Sequence, residues 1–177
     1  DNRSGIYRID LGTGVTEAVA LIQLRNDSWP FWVAEKHVYF VNWTNASGQE
    51  RPALYRLDKS ALKGSPELVP LPDGVTEVLG MRSNASHVYV TLRTNNGPYV
   101  IYRFSAANPT SDIAKSANIG RPIPDTLAIT SSSVVALLED PPSLWRLPLD
   151  LSTVTKMTDT SSSAGRRTLA CSETSCF

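Results

Sequence analysis

The chain has 177 residues, of which 41% are hydrophobic and 19% are charged. This length allows one sizeable hydrophobic core, and the proportions are ordinary for a globular domain. Its 17 basic and 17 acidic residues cancel, so neither a nucleic-acid-binding surface nor a charged, membrane-attracted tail is indicated. Apolar runs such as residues 134–138 are far too short to cross a bilayer, so the sequence predicts no transmembrane segment.

Taken in chain order, the sequence repeats a unit of two strand-like stretches joined by a loop. β-branched and aromatic residues dominate these stretches and favour strands over helices. A half unit opens the chain at residues 5–10. Three full units follow, at residues 37–42 with 53–58, 87–92 with 100–104, and 133–138 with 143–147.

Two further strands complete each predicted unit, and the four are here named A to D, with the repeated pair as B and C. Strand A is expected at residues 31–34, 77–81 and 126–130. Strand D has a looser pattern and is expected at residues 16–22, 67–71, 112–119 and 153–158. Turn sequences lie between them, including residues 11–14, 95–98 and 140–142.

The spacing of the units is the strongest fold signal. The aromatic residue of strand C falls at Tyr7, Tyr55, Tyr102 and Trp145, so the steps are 48, 47 and 43 residues. A period in the forties with four strands per unit is typical of a β-propeller blade. The sequence therefore predicts an all-β fold of four-stranded antiparallel blades, with about four blades' worth of chain.

One stretch of the first full unit also resembles a known family. Val38-Tyr39-Phe40-Val41-Asn42-Trp43-Thr44 followed by Ala53-Leu54-Tyr55-Arg56-Leu57-Asp58 is similar to the repeat of extracellular β-propellers of the YWTD and NHL-like types. The resemblance covers nearly the whole chain, although no literal Tyr-Trp-Thr-Asp occurs. It implies the propeller fold more directly than any ligand.

The predicted blade boundaries divide residues 1–177 unevenly. A half blade is expected at residues 5–22, full blades at about 29–71, 75–120 and 126–158, and the start of a further blade at 166–177. A closed four-bladed ring and a segment of a larger propeller both fit this division. We favour the larger propeller, because little chain remains for the last strand B. Other blades or subunits would then complete the ring, and an open sheet edge invites such pairing.

Asparagine sequons and cysteines indicate the compartment. Five Asn-x-Ser/Thr sequons occur, at Asn2, Asn26, Asn42, Asn45 and Asn84, against roughly two expected by chance. Turn chemistry is the alternative explanation, since Asn and Ser both suit loops. Cys171 and Cys176 are close enough in sequence to form a local disulfide, which agrees with an oxidising compartment. A secreted or cell-surface glycoprotein is therefore predicted.

The repeated polar residues invite catalytic interpretations, but a scaffold role is favoured for each. Arginine follows the strand-C aromatic in every unit, and packing between neighbouring blades explains such recurrence better than a ligand ring does. Asp10 and Asp58 occupy equivalent turn positions, where aspartate caps its own backbone. His37 and His87 are expected to be strand-start residues bonded to a neighbouring carbonyl. We predict no catalytic, cofactor or metal site within this chain.

Aromatic residues and sequons guide the prediction of a binding surface. Trp43 is the best candidate for an exposed anchor because it opens the predicted loop at residues 44–52, and Arg51 is the second candidate contact. Asn2, Asn42 and Asn45 would lie in B–C loops and Asn26 in a D–A loop, all on one face of a propeller. Asn84 would lie on the opposite face.

Three functions remain open at this point. The favoured one is a non-catalytic extracellular propeller module that binds a protein or carbohydrate partner for adhesion, recognition or assembly. The second is a propeller hydrolase or lactonase whose catalytic residues lie outside these residues. The third is a structural subunit that spaces or docks neighbours in an extracellular assembly.

Overall fold

A computed structural model of the chain describes residues 5–21, 31–46, 49–61, 64–95, 97–160, 169–172 and 175–176. These residues form strands and turns, with no helix among them. The strands are β1 (Gly5–Ile9), β2 (Thr16–Leu21), β3 (Phe31–Val33), β4 (His37–Ala46), β5 (Gln49–Asp58), β6 (Glu67–Val69), β7 (Val75–Ser83), β8 (His87–Thr94), β9 (Tyr99–Ser105), β10 (Ala114–Lys115), β11 (Pro122–Ile129), β12 (Ser133–Glu139), β13 (Pro142–Pro148) and β14 (Thr155–Asp159).

The strands form four antiparallel sheets, each built from consecutive strands. Sheet I is the β1–β2 hairpin, and sheets II, III and IV are the four-stranded meanders β3–β6, β7–β10 and β11–β14. The predicted all-β fold and the four-strand unit are confirmed. Sheet I lies within residues 5–22, the half unit predicted at the start of the chain, whose last residue is outside the described part.

Two predicted boundaries are wrong. The loop expected at residues 44–52 is mostly strand, because β4 and β5 stay paired from His37 with Asp58 out to Ala46 with Gln49. The third strand D, expected at residues 112–119, shrinks to Ala114–Lys115 plus an isolated bridge between Tyr99 and Ile119. Asp112 has φ 55, a left-handed conformation that a regular strand does not accommodate.

Successive sheets pack face to face in chain order, and each seam has its own apolar core. Phe40 and Leu57 of sheet II contact Ile6 and Val19 of sheet I. The seam between sheets II and III contains buried residues of both sheets, among them Tyr39, Leu54, Val90 and Phe104. The seam between sheets III and IV contains Tyr89, Ile101, Val134, Leu147 and others.

Side chains alternate along strand C, so the aromatic residue and the arginine that follows it lie on opposite faces of the sheet. In sheet III, Tyr102 and Phe104 pack into the core shared with sheet II, whereas Arg103 reaches towards sheet IV. The same alternation places Leu147 of sheet IV against sheet III. Side chains two apart in a strand share a face, so each sheet directs its aromatic residue backwards and its arginine forwards along the stack.

Strand A of sheet III lies close to both neighbouring sheets. β7 contacts β11 of sheet IV on one side and β3 and β5 of sheet II on the other. At Gly80 a Cβ atom would lie only 3.3 Å from the backbone nitrogen of Asp125, so the two strand-A backbones approach closely there. The described residues form no closed barrel or ring.

Candidate functional site

The seam between sheets II and III is bridged by the Tyr-Arg unit of sheet II. Arg56 Nη1 donates to the carbonyl oxygens of Ala106 and Ala107, at 3.3 Å each, in the loop after β9. The Tyr39 hydroxyl donates to the Ala106 oxygen at 3.5 Å. Within its own sheet, Arg56 Nε donates to Glu67 at 2.8 Å, and this hydrogen bond lowers the pKa of Glu67.

The seam between sheets III and IV repeats this arrangement. Arg103 Nη1 and the Tyr89 hydroxyl both donate to the Leu149 carbonyl oxygen, each at 3.0 Å. Arg103 Nη2 donates to Asp112 at 2.8 Å, as Arg56 does to its own strand-D carboxylate. A tyrosine on strand B and an arginine on strand C thus bond together to the C–D loop of the next sheet. The predicted structural role of these two arginines is confirmed.

Among the described residues, the remaining two arginines of the repeat form no hydrogen bond to another sheet. Arg8 forms an exposed ion pair with Glu17 on the neighbouring strand at 2.9 Å. Arg146 is exposed, and it forms no hydrogen bond or ion pair within the described part of the chain. Its cross-strand neighbour is Val135, where sheets II and III have Tyr39 and Tyr89.

Both histidines begin a strand, as predicted, but their side-chain contacts differ from each other. His87 Nε2 contacts the carboxylate of Asp112, and the hydrogen bond to His87 is the main cause of the lowered pKa of Asp112. The predicted carbonyl partner is therefore wrong for His87. His37 packs edge-on against the Tyr39 ring, with centroids 5.9 Å apart. Burial, together with the charge of Arg56, lowers the pKa of His37.

The turn aspartates act on the backbone, as predicted. Asp10 Oδ1 accepts hydrogen bonds from the backbone N–H groups of Gly12 and Thr13 and from the Thr13 hydroxyl. Asp58 Oδ1 accepts from the backbone and hydroxyl of Ser60, both at 2.7 Å. These bonds lower the pKa of each carboxyl group, so both remain ionised acceptors.

A cluster between the A strands was not predicted. The Arg82 guanidinium lies 4.5 Å from the centre of the Trp32 ring and donates to the carbonyl oxygens of Met81 and Asp125. Trp32 Nε1 donates to Ser83 Oγ at 2.8 Å, so β3, β7 and β11 are joined through polar contacts. Arg82 has no counterpart in the other units, and repetition therefore gave no signal for it. The described residues contain no group of three or more His, Cys, Asp or Glu side chains placed to hold a metal.

The β4–β5 hairpin projects beyond the described parts of its flanking strands. Among the described residues, which omit 22–30 before β3, β3 pairs with β4 as far as Phe40 and β6 pairs with β5 as far as Leu54. Past these points the hairpin strands pair with each other through Trp43 with Pro52 and Thr44 with Arg51. Trp43 is half-buried in a strand rather than opening a loop, and Arg51 is exposed. Both predicted contact residues therefore lie on one projecting element.

The sequons are distributed between two ends of the sheets. Asn42 and Asn45 lie in β4 on the projecting hairpin, not in a loop. Asn84 lies in the A–B turn of sheet III, where its Oδ1 accepts hydrogen bonds from the backbone N–H groups of Ser86 and His87. The A–B turns lie at the opposite end of the strands from the hairpin tip. Asn2 and Asn26 lie outside the described residues.

The predicted disulfide is present between Cys171 and Cys176, whose Cα atoms are 4.0 Å apart. The two cysteines form an isolated antiparallel bridge. Cys176 and its neighbour Ser175 line a cavity of about 190 Å³ against Val135, Leu144 and Arg146 of sheet IV. The bridged residues thus adjoin the face of sheet IV that points away from sheet III.

The chain matches no protein-family model and no curated protein. Within the described residues, no helix is long and apolar enough to cross a membrane.

Proposed function

We propose that the chain is part of an extracellular β-propeller and acts as a non-catalytic module that presents a binding hairpin to a protein or carbohydrate partner. The observation that carries this proposal is the projection of the β4–β5 hairpin, with Trp43 and Arg51, from a stack of sheets fastened by repeated polar bridges. Binding residues on a rigid scaffold lose less conformational entropy on association than residues of a free loop.

The repeated bridge supports the propeller arrangement. Two successive seams use the same pair of strands and the same acceptor loop. Blades arranged around a common axis must each pack against the next with the same geometry, and a bridge that recurs at successive seams is consistent with that geometry. The close approach of β7 to β11 places two A strands together, as expected at the centre of a propeller.

The disulfide and the sequons support an extracellular location. Disulfides persist in oxidising compartments, and Cys171 and Cys176 are paired. Asn42 lies in the hairpin that the proposal assigns to binding, so a glycan there would flank the contact surface or form part of it.

Trp43 and Arg51 are well suited to this role because tryptophan and arginine are enriched among the residues that dominate binding energy. The experiment is a binding screen of the secreted, glycosylated protein against immobilised oligosaccharides and extracellular-matrix proteins, using wild type and the Trp43→Ala/Arg51→Ala variant. Arg121→Ala, at an exposed arginine immediately before β11, is the control.

We expect wild type and the control to bind the same probe, and the hairpin variant to lose that binding while its circular dichroism spectrum stays that of a folded all-β protein. A probe that binds the hairpin variant as tightly as wild type would contradict the assignment to the hairpin. Turnover of a glycoside or lactone substrate by the protein would contradict the non-catalytic role.

A further inference from the structure

A cavity of about 250 Å³ lies at the seam between sheets II and III. It is bordered by the A–B turns of both sheets and by the C–D loop of sheet III, so it lies at the opposite end of the strands from the β4–β5 hairpin tip. Half of its lining residues are alanines, and every lining residue belongs to the described part of the chain. Small side chains on three converging segments thus leave room for a ligand.

The cavity corresponds to a difference between sheets III and IV. Leu149 lies four residues after the strand-C aromatic of sheet IV, and its side chain packs against the core of the seam between sheets III and IV. Ala106 holds the same position in sheet III and lines the cavity with only a methyl group. The next residue also differs, since Ala107 stands where sheet IV has Asp150. A leucine at position 106 would therefore extend into the cavity.

His37 is the polar group that distinguishes this cavity. At the equivalent position of sheet III, His87 Nε2 contacts the carboxylate of Asp112. In sheet II the strand-D carboxylate of Glu67 accepts from Arg56 Nε at 2.8 Å instead. The His37 ring is half-buried, lines the cavity and forms no hydrogen bond within the described ranges. A carboxylate in the cavity would give this ring the partner that its counterpart already has.

The charges around this histidine favour an anionic ligand. Lys36 lines the cavity, and Arg56 Nη1 donates to the two carbonyl oxygens of the adjoining C–D loop. The carboxylates of Asp58 and Glu67 are already hydrogen-bonded within sheet II. Glu35 also lines the cavity but is exposed. Among the described residues, sheet III contributes no titratable side chain to the lining.

We propose that this cavity binds a small carboxylate, of the size of a single sugar acid, with the His37 ring donating to the carboxylate and with Ala106 and Ala107 against the rest of the molecule. The cavity is smaller than the roughly 300–1,000 Å³ typical of sites for drug-sized ligands, so it suits one small ring. The β4–β5 hairpin takes no part in the site. The proposal therefore stands whether or not that hairpin binds a partner.

Protonation of His37 gives the site a pH dependence. Burial, and next the charge of Arg56, lowers the pKa of His37, so the ring is neutral near pH 7. Lys36 acts in the same direction, whereas Asp58 and Glu67 oppose it. A carboxylate bound to the ring favours its charged form. Binding should therefore take up a proton and tighten as the pH falls from about 7.5 to about 5.5, a range over which the ligand stays ionised.

The test is a ligand-observed NMR titration of the secreted, glycosylated protein with glucuronate, and with glucose as a neutral ligand of the same ring size. His37→Gln removes the imidazole. Ala106→Leu places in the cavity the side chain that sheet IV has at the equivalent position. His87→Gln is the matched control, because that ring contacts Asp112. Circular dichroism checks that each variant keeps the all-β fold.

We expect wild type and the control to bind glucuronate saturably, and glucose to bind at least roughly tenfold more weakly, because it lacks the charged acceptor. Each of the two cavity variants should bind glucuronate at least roughly tenfold more weakly than wild type. Wild type should bind more tightly at about pH 5.5 than at about pH 7.5, and His37→Gln should lose this dependence.

Three results would overturn the proposal. The first is a wild-type protein that shows no saturable binding of glucuronate, or that binds glucose equally well. The second is undiminished binding by a folded Ala106→Leu variant, because the ligand would then lie elsewhere. The third is a His37→Gln variant that keeps the affinity and pH dependence of wild type, and this result decides the matter even if Ala106→Leu does not fold.

Discussion

Replacing Arg103 by methionine tests the bridge between sheets III and IV. Methionine keeps most of the aliphatic volume of arginine but removes the hydrogen bond to the Leu149 oxygen at 3.0 Å and the ion pair with Asp112 at 2.8 Å. A hydrogen bond from a charged donor contributes about 1.5–3 kcal/mol. The ion pair adds less than about 1 kcal/mol, because the Asp112 side chain is 51% exposed.

Removal of the buried Arg103 Nε partly offsets this loss of stability. Arg103 Nε is buried and has no hydrogen-bond partner in the structure, so removing it relieves a cost of about 1 kcal/mol. The expected net destabilisation is therefore about 1–3 kcal/mol. Tyr89→Phe removes one neutral hydrogen bond and should cost about 1 kcal/mol.

The double variant provides the sharper measurement. Either side chain alone leaves the Leu149 oxygen with one donor, whereas the double variant leaves it with neither. The combined loss should therefore exceed the sum of the single losses by about 1 kcal/mol, as residues with a shared partner do. Urea unfolding followed by tryptophan fluorescence gives all three values.

Arg146→Met is the matched control, because Arg146 occupies the equivalent position without a polar partner among the described residues. Because Arg146 is exposed, this variant should change the free energy of unfolding by less than about 0.5 kcal/mol. Equal effects of Arg103→Met and Arg146→Met would contradict the bridging role of Arg103, and strict additivity of the Arg103 and Tyr89 losses would contradict their shared acceptor.

Three further predictions follow from particular residues. Burial lowers the pKa of His37 in the folded state, so the unfolded chain binds more protons, and the stability contributed by neutral His37 is fully present above about pH 6.5 and falls as the pH drops towards the folded pKa. The urea unfolding midpoint should therefore decline less steeply between about pH 8 and about pH 5 in His37→Gln than in wild type. Equal slopes for the two proteins would contradict this. Gly80→Ala should lower the free energy of unfolding by about 1–3 kcal/mol, because the new Cβ would press on the Asp125 backbone. Gly14→Ala has open space around its Cβ and is strained only by its positive φ, so it should cost about 1 kcal/mol. Equal unfolding midpoints for the two variants would contradict the close approach of β7 and β11. Glycopeptide mass spectrometry of the secreted protein should find sugar on Asn42 and Asn84, and unmodified peptides at both sites would contradict the extracellular assignment.

The repeat made the sheets and their bridges predictable. Strand order follows from the B–C pairs, and the recurrence of Tyr55-Arg56 and Tyr102-Arg103 implied a packing role that the hydrogen bonds to Ala106 and Leu149 bear out. The turn role of Asp10 and Asp58 was predictable for a different reason. An aspartate needs only neighbouring backbone N–H groups to cap a turn, so local sequence is sufficient.

Features without a repeat were not predictable. The Trp32–Arg82 contact joins residues fifty positions apart, and no other unit carries an equivalent pair. The partner of His87 was missed because Asp112 lies in a segment that departs from regular strand geometry. The sequence predicted residues 44–52 as a loop between strands B and C, whereas β4 and β5 stay paired through most of them, with Trp43 opposite Pro52 and Thr44 opposite Arg51.

The most direct test of the proposed propeller is a density map, from electron cryomicroscopy or crystallography, of the intact secreted protein. We expect four-stranded sheets arranged radially about a common axis, with β7 and β11 innermost and the β4–β5 hairpin projecting from one face. A map in which sheets II, III and IV pack as a flat sandwich, or with the A strands on the outside, would contradict it.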